Sequence, residues 1–178
     1  MDYKCKVALI GDPKSAIVQA ITKNSQGYFR KEYISTIGVS FFRIDLKVNN
    51  QPVYLQIWNI LGVDPFTSVN NTSYLKGSHG AILAYDSTAS DVSSKIQERL
   101  DAVKRYKDIP ITIAFLENDW KQWEKDKKNN AYKLAEQLHC QYFVFSSENG
   151  ENIDELTVPL SKIMMERIDR ELKKNGQP

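Results

Sequence analysis

The chain has 178 residues, 42% of them hydrophobic, which is enough for one domain with its own core and leaves no need for disulfide staples. Its 24 lysines and arginines stand against 22 aspartates and glutamates and are spread along the chain, which argues against a nucleic-acid binder with its clustered positive charge. Cys5 and Cys140 lie far apart, His79 and His139 have no metal-ligand spacing, and no apolar run approaches the ~20 residues of a membrane span, so a disulfide scaffold, a zinc site and direct membrane insertion are not expected.

The first six residues, MDYKCK, carry no signal-peptide apolar region. Residues 7–10 (VALI) are a short continuous apolar run, the pattern of a strand buried on both faces. Gly11 and Pro13 break it, and residues 16–21 (AIVQAI) read as the start of a helix. Residues 25–32 are polar with Gly27 among them, a connector. Residues 41–48 alternate apolar and polar, residues 49–52 (NNQP) form a turn, and residues 53–58 return as the second strand of a hairpin. Residues 60–72 are weakly periodic and broken by Gly62 and Pro65, a loop with one helical turn. Residues 81–85 are another buried strand, closed by Asp86-Ser87-Thr88.

Val92, Ile96, Leu100, Val103 and Tyr106 recur at helix spacing. Residues 111–116 are the next strand, and the charged stretch 121–130 is loop or a solvated helix start. Tyr132, Leu134, Ala135 and Leu138 mark a helix, and residues 142–145 the last strand. Residues 153–173 form an amphipathic helix with Ile163, Met164, Ile168 and Leu172 on one stripe; Pro159 predicts that it starts late or kinks. One domain over residues 1–174 and a tail at 175–178 are expected. The last six residues, KKNGQP, hold no cysteine, so no lipidation is expected on this chain.

Six strands alternating with helices predict an α/β fold of three layers. Its sheet is mostly parallel, with one antiparallel hairpin strand and helices on both faces. A ligand in such a sheet sits at the carboxyl ends of the strands, which directs attention to residues 11–18, 59–64, 116–119 and 146–148. Strand, glycine-led loop and helix at 7–21 is the frame of a phosphate-binding loop. That loop needs G-x-x-x-x-G-K-[ST]: a second glycine for close backbone approach, a lysine for the phosphates and a hydroxyl for magnesium. Counted from Gly11, those positions hold Ala16, Ile17 and Val18.

YISTIGV at 33–39, LQIW at 55–58, KGSHG at 76–80 and LAYDST at 83–88 occur in order and with natural spacing. Together they resemble the Rab group of the Ras superfamily of small GTPases over nearly the whole chain, from about residue 4 to 174, which implies the G-domain fold. The resemblance also shows which positions depart from the pattern. Ile17 stands at the phosphate lysine, Val18 at the magnesium hydroxyl, Asn59 at the metal-side carboxylate and Val63 at the glutamine that orients the attacking water. Leu116-Glu117-Asn118-Asp119 stands at N-K-x-D, and Ser146-Ser147-Glu148 at S-A-K.

What the resemblance retains is a vestigial nucleotide site of Gly11, Gly62, Asp119 and Ser146, with Thr36 as the vestigial magnesium ligand. Lys14 is the one cation inside the first loop and within reach of a phosphate in principle; it lies three positions early, and its favoured reading is a solvated surface lysine. A protein-partner surface is implied at Ile37, Phe41, Trp58 and Tyr74, the third member of the family's aromatic triad being Ser73 here, beside Tyr74.

Two readings follow. The first is a pseudo-GTPase: no catalytic residues, no bound GTP, GDP or Mg2+ expected, and a role as a protein-interaction module in vesicle trafficking or signalling. The second is a divergent guanine-nucleotide binder with little turnover, in which backbone N–H groups hold phosphate and Asp119 selects guanine. A conventional switch would need a phosphate lysine, a metal and a water-positioning group, none of which stands at its matching position. The chain is expected in the cytoplasm, reaching endomembranes through partners or through a missing tail. With the nucleotide gone, Ile17, Val18, Ile60 and Leu61 are expected to collapse toward the vacated phosphate site.

Overall fold

The apolar run at 7–10 lies at the middle of the sheet in the computed structural model, which describes residues 2–11, 32–34, 39–60, 74–86, 92–117, 133–146 and 153–176. It belongs to β1 (Tyr3–Gly11), hydrogen-bonded in parallel to β4 (Gln51–Asn59) on one side and β5 (Gly80–Asp86) on the other. A central strand has a layer packed on each face, so every side chain in the run must be apolar. Val7 and Leu9 enter one core cluster, with Leu55, Leu160 and Met164. Ala8 and Ile10 enter the other, with Leu83, Ile96 and Leu100.

Outward from β4 the sheet continues antiparallel through β3 (Val39–Val48) to β2 (Glu32–Ile34). Outward from β5 it continues parallel through β6 (Ile111–Glu117) to β7 (Gln141–Ser146), giving the order β2-β3-β4-β1-β5-β6-β7. The expected six strands are all present, and the three-residue β2 extends the edge by one more. β2 was not legible because three residues, the last of the polar connector and the two apolar ones after it, are too few to show a period.

The β3–β4 turn is tighter than the sequence suggested. Only Asn49 and Asn50 lie outside the ladder, both with positive φ (50° and 62°), the backbone of a type I′ hairpin that asparagine tolerates. Pro52 pairs with Lys47, one step from the hydrogen-bonded Val48–Gln51 pair that closes the turn. Its nitrogen therefore points away from β3, and the ladder loses no bond.

Two helices lie on opposite faces. α1 (Val92–Tyr106) buries Ile96, Leu100 and Val103 on the face of Ala8 and Ile10, and α2 (Ile153–Lys174) buries Leu156, Leu160 and Met164 on the face of Val7 and Leu9. A helical turn at 133–137 lies next to the buried Leu138. α2 begins at Ile153 and runs through Pro159, so the expected late start is corrected. The carbonyl that Pro159 leaves unpaired belongs to Glu155, an exposed residue in the first turns, where solvent has access to it. α2 also comes so close to β5 that a Cβ on Gly80 would lie 2.8 Å from Met164 Sδ.

Candidate functional site

The strand order places the topological switch point at β1, between β4 and β5, and a ligand crevice opens where the carboxyl ends of such strands diverge. Gly11, Asn59 and Asp86 end these three strands, Glu117 and Ser146 end β6 and β7, and the loops that follow lie outside the described residues. Lys14, Ile17, Val18, Thr36, Ile37, Gly62, Val63 and Asp119 therefore lie outside them too.

Gly11 has its own reason to be glycine. Its φ of +154° is strained for any other residue, and a Cβ there would collide with the carbonyl oxygen of Ala84 on β5. The sheet neighbour demands the glycine before any phosphate does. Ile60, expected to turn toward the vacated phosphate site, instead extends the β1–β4 junction: its N–H donates to Leu9 O (3.0 Å), and its side chain is wholly buried beside Ile10 and Leu75. Leu61, Ile17 and Val18 of the same expectation lie outside the described residues. At the end of β4 a magnesium–nucleotide pair would meet the neutral amide of Asn59, a weaker ligand for a hard cation than a carboxylate, while Ile60 is turned into the core.

On the sheet face toward α1, the register aligns three rows of side chains across β1, β4 and β3: Ala8–Trp58–Phe41, Lys6–Gln56–Arg43, and Lys4–Tyr54–Asp45. The Phe41 and Trp58 rings meet edge to face, centroids 4.6 Å apart at 90°, the arrangement the ring quadrupole favours. Both, with Tyr74, are partly buried against the cluster that contains Ile60 and Leu75. Of the four residues expected at a partner surface, the structure brings Phe41 and Trp58 into contact, packs Tyr74 against the same core cluster, and leaves Ile37 outside the described residues.

The neighbouring rows were missed by the sequence reading. Lys6 Nζ lies 3.5 Å from the centroid of the Trp58 ring and donates to Lys76 O at 2.8 Å. Burial lowers the pKa of this ammonium from its usual value. Arg43 is gripped by Asp45 through both nitrogens (2.6 and 3.1 Å) and lies 4.7 Å over the Tyr54 ring; the hydrogen bond to Asp45 raises its pKa.

Behind Lys6, His79 closes the strand: the Lys6 N–H donates to His79 Nδ1 (3.0 Å), and the His79 N–H donates to Lys6 O (2.8 Å). A ring nitrogen that accepts must be unprotonated, and burial first, then the nearby Lys107, lowers the His79 pKa. The signal that could have found these rows was the alternation of Lys4 and Lys6 with Tyr3 and Cys5, a period of two at the head of the chain. The two cysteines are chemically quiet: burial pushes the Cys5 thiol up to about 11 and raises that of Cys140.

Residues 6–166 match the sequence profile of the Ras family. The chain is similar to Ras-related protein Rab-13 of Bos taurus, 29% identical over 180 residues that cover 99% of this chain and 88% of that protein. It is 30% identical over 156 residues to Rab-13 of Mesocricetus auratus, covering 86% and 76%. It is 28% identical to the GTP-binding protein ypt1 of Schizosaccharomyces pombe over 171 residues, covering 94% and 83%.

Proposed function

The chain belongs to the Ras family of small GTPases, with the Rab proteins among its relatives, and from that premise we propose that it is a pseudo-GTPase working as a protein-interaction module in vesicle trafficking. One observation carries the reading: side chains that would hold the phosphates, the metal and the water are replaced together, by Ile17, Val18, Asn59 and Val63, while Phe41 and Trp58 still form an aromatic pair. Loss of the lysine alone removes a charged hydrogen bond worth about 1.5–3 kcal/mol. Glu117 and Glu148 stand where the family's base pocket carries two lysines, and that reversal repels a polyanion further. The aromatic pair supplies the opposite requirement, a rigid aromatic anchor at the edge of the core, which protein interfaces use for most of their binding energy.

Titration of the purified protein with fluorescent GDP and GTP, with and without Mg2+, tests this. No saturable signal in the sub-micromolar range is expected, and tight binding of either nucleotide would overturn the reading.

A second reading, a divergent guanine-nucleotide binder, draws on Thr36 and Asp119, which keep the switch hydroxyl and the base-selecting carboxylate. Nucleotide released on denaturing the native protein and identified by mass spectrometry would establish it.

A further inference from the structure

Beside the Phe41–Trp58 pair, the sheet face toward α1 carries a groove of about 790 Å³. Lys4, Lys6, Arg43, Tyr54, Gln56 and Phe41 line it, and Asp2 is the one carboxylate in the lining among the described residues. The three cations are not equivalent. Arg43 is already neutralised by the fork it makes with Asp45. Lys4 is exposed. Lys6 is partly buried; its ammonium has three donors, and one goes to the Lys76 carbonyl while the Trp58 face covers one side. No carboxylate reaches Lys6 among the described residues, and desolvation is the sole influence moving its pKa. Among the described residues Lys6 is thus a cation drawn partly out of water with no counter-ion, a cost that an incoming anion relieves.

We propose that this groove takes an acidic segment of a protein partner, with a carboxylate seated on Lys6 Nζ beside Phe41 and Trp58 and with Lys4 as the outer charge. The ring faces decide for a peptide over a bare anion. The parts of the Phe41 and Tyr54 rings that line the groove, beyond what Trp58 and Arg43 cover, are apolar surface that a peptide's side chains cover and that a headgroup phosphate leaves wet. The proposal rests on the interaction-module reading and gives its partner a chemistry.

Peptide-display selection of random dodecapeptides on the wild-type protein tests it, followed by anisotropy titration of the enriched peptides against variants. The enriched sequences are expected to carry Asp or Glu beside an apolar residue and to weaken as salt rises. They are expected to bind Lys6→Met and Lys4→Glu about tenfold less well, the loss of one charged hydrogen bond, and to keep their affinity for Lys6→Arg. Lys4 is exposed, so Lys4→Glu keeps the test open even where Lys6→Met fails to fold.

Enriched peptides without carboxylates, peptides indifferent to Lys4→Glu, or no enrichment at all would overturn the proposal. So would Lys4-dependent binding to phosphatidylserine vesicles in place of acidic peptides. Binding lost in Phe41→Ala but unchanged in Lys4→Glu would sink the groove and leave the module reading intact. Acidic peptides that bind as expected to a protein that also holds GDP tightly would sink the pseudo-GTPase reading and leave the groove.

Discussion

Gly11 is held by a backbone at φ +154° and by the Ala84 carbonyl that faces the place where a Cβ would sit. Gly11→Ala has to move β5 or unwind the end of β1, so it is expected to cost on the order of 3 kcal/mol, read as a lower urea midpoint at unchanged slope. The test separates a sheet role from a phosphate role, since the loss appears with no nucleotide present. His79 behaves differently. Its Nδ1 accepts the Lys6 N–H only while unprotonated, and its folded pKa is lowered from 6.5 by burial and by Lys107. The unfolded chain therefore binds a proton that the folded chain refuses, so stability is full above about pH 6.5 and falls as pH drops through the lowered folded value. Urea midpoints between pH 7.5 and 5 are expected to fall more steeply for the wild type than for His79→Gln. Equal slopes would show that His79 is not the group responsible.

β1 and α2 are joined at the element scale by one side-chain hydrogen bond between residues 166 positions apart: the Tyr3 hydroxyl donates to Asp169 Oδ1 at 2.8 Å, which raises the Tyr3 pKa. Tyr3→Phe removes it while keeping the ring in the core, and a loss of about 1 kcal/mol is expected in thermal or urea unfolding. Tyr3 and Cys5 are buried, so β1 begins at Tyr3, well before the apolar run that announced it. Its first half escaped notice because Lys4 and Lys6 interrupt the hydrophobicity, although they do so with a strand's alternation. The hairpin was legible because its alternating pattern is long and Asn-Asn is turn chemistry. The bounds of α2 were legible from its stripe and the effect of Pro159 was not, since Pro159 sits where solvent can serve the orphaned carbonyl.

For the whole molecule, the interaction-module reading predicts a fold that stands without a ligand. Two continuous apolar layers close on the sheet from opposite sides. The melting temperature is expected to be the same in GDP with Mg2+, in GTP with Mg2+ and in EDTA; a ligand present at a hundred times its Kd would add about 2.7 kcal/mol and could not be missed. A rise in Tm with either nucleotide would contradict the reading. The amino-acid order alone settled the α/β class, the six long strands and the family, because period and motif spacing are local properties that survive without coordinates. It also carries the proposed reading of the nucleotide site, since Ile17 and Val18 are placed by counting from Gly11. The tertiary structure decided that Gly11 answers to Ala84, that Ile60 belongs to the core, and that Lys6, Trp58 and Phe41, from three strands, share one face. Those relations are matters of register between strands distant in sequence, and register is fixed only when the sheet assembles.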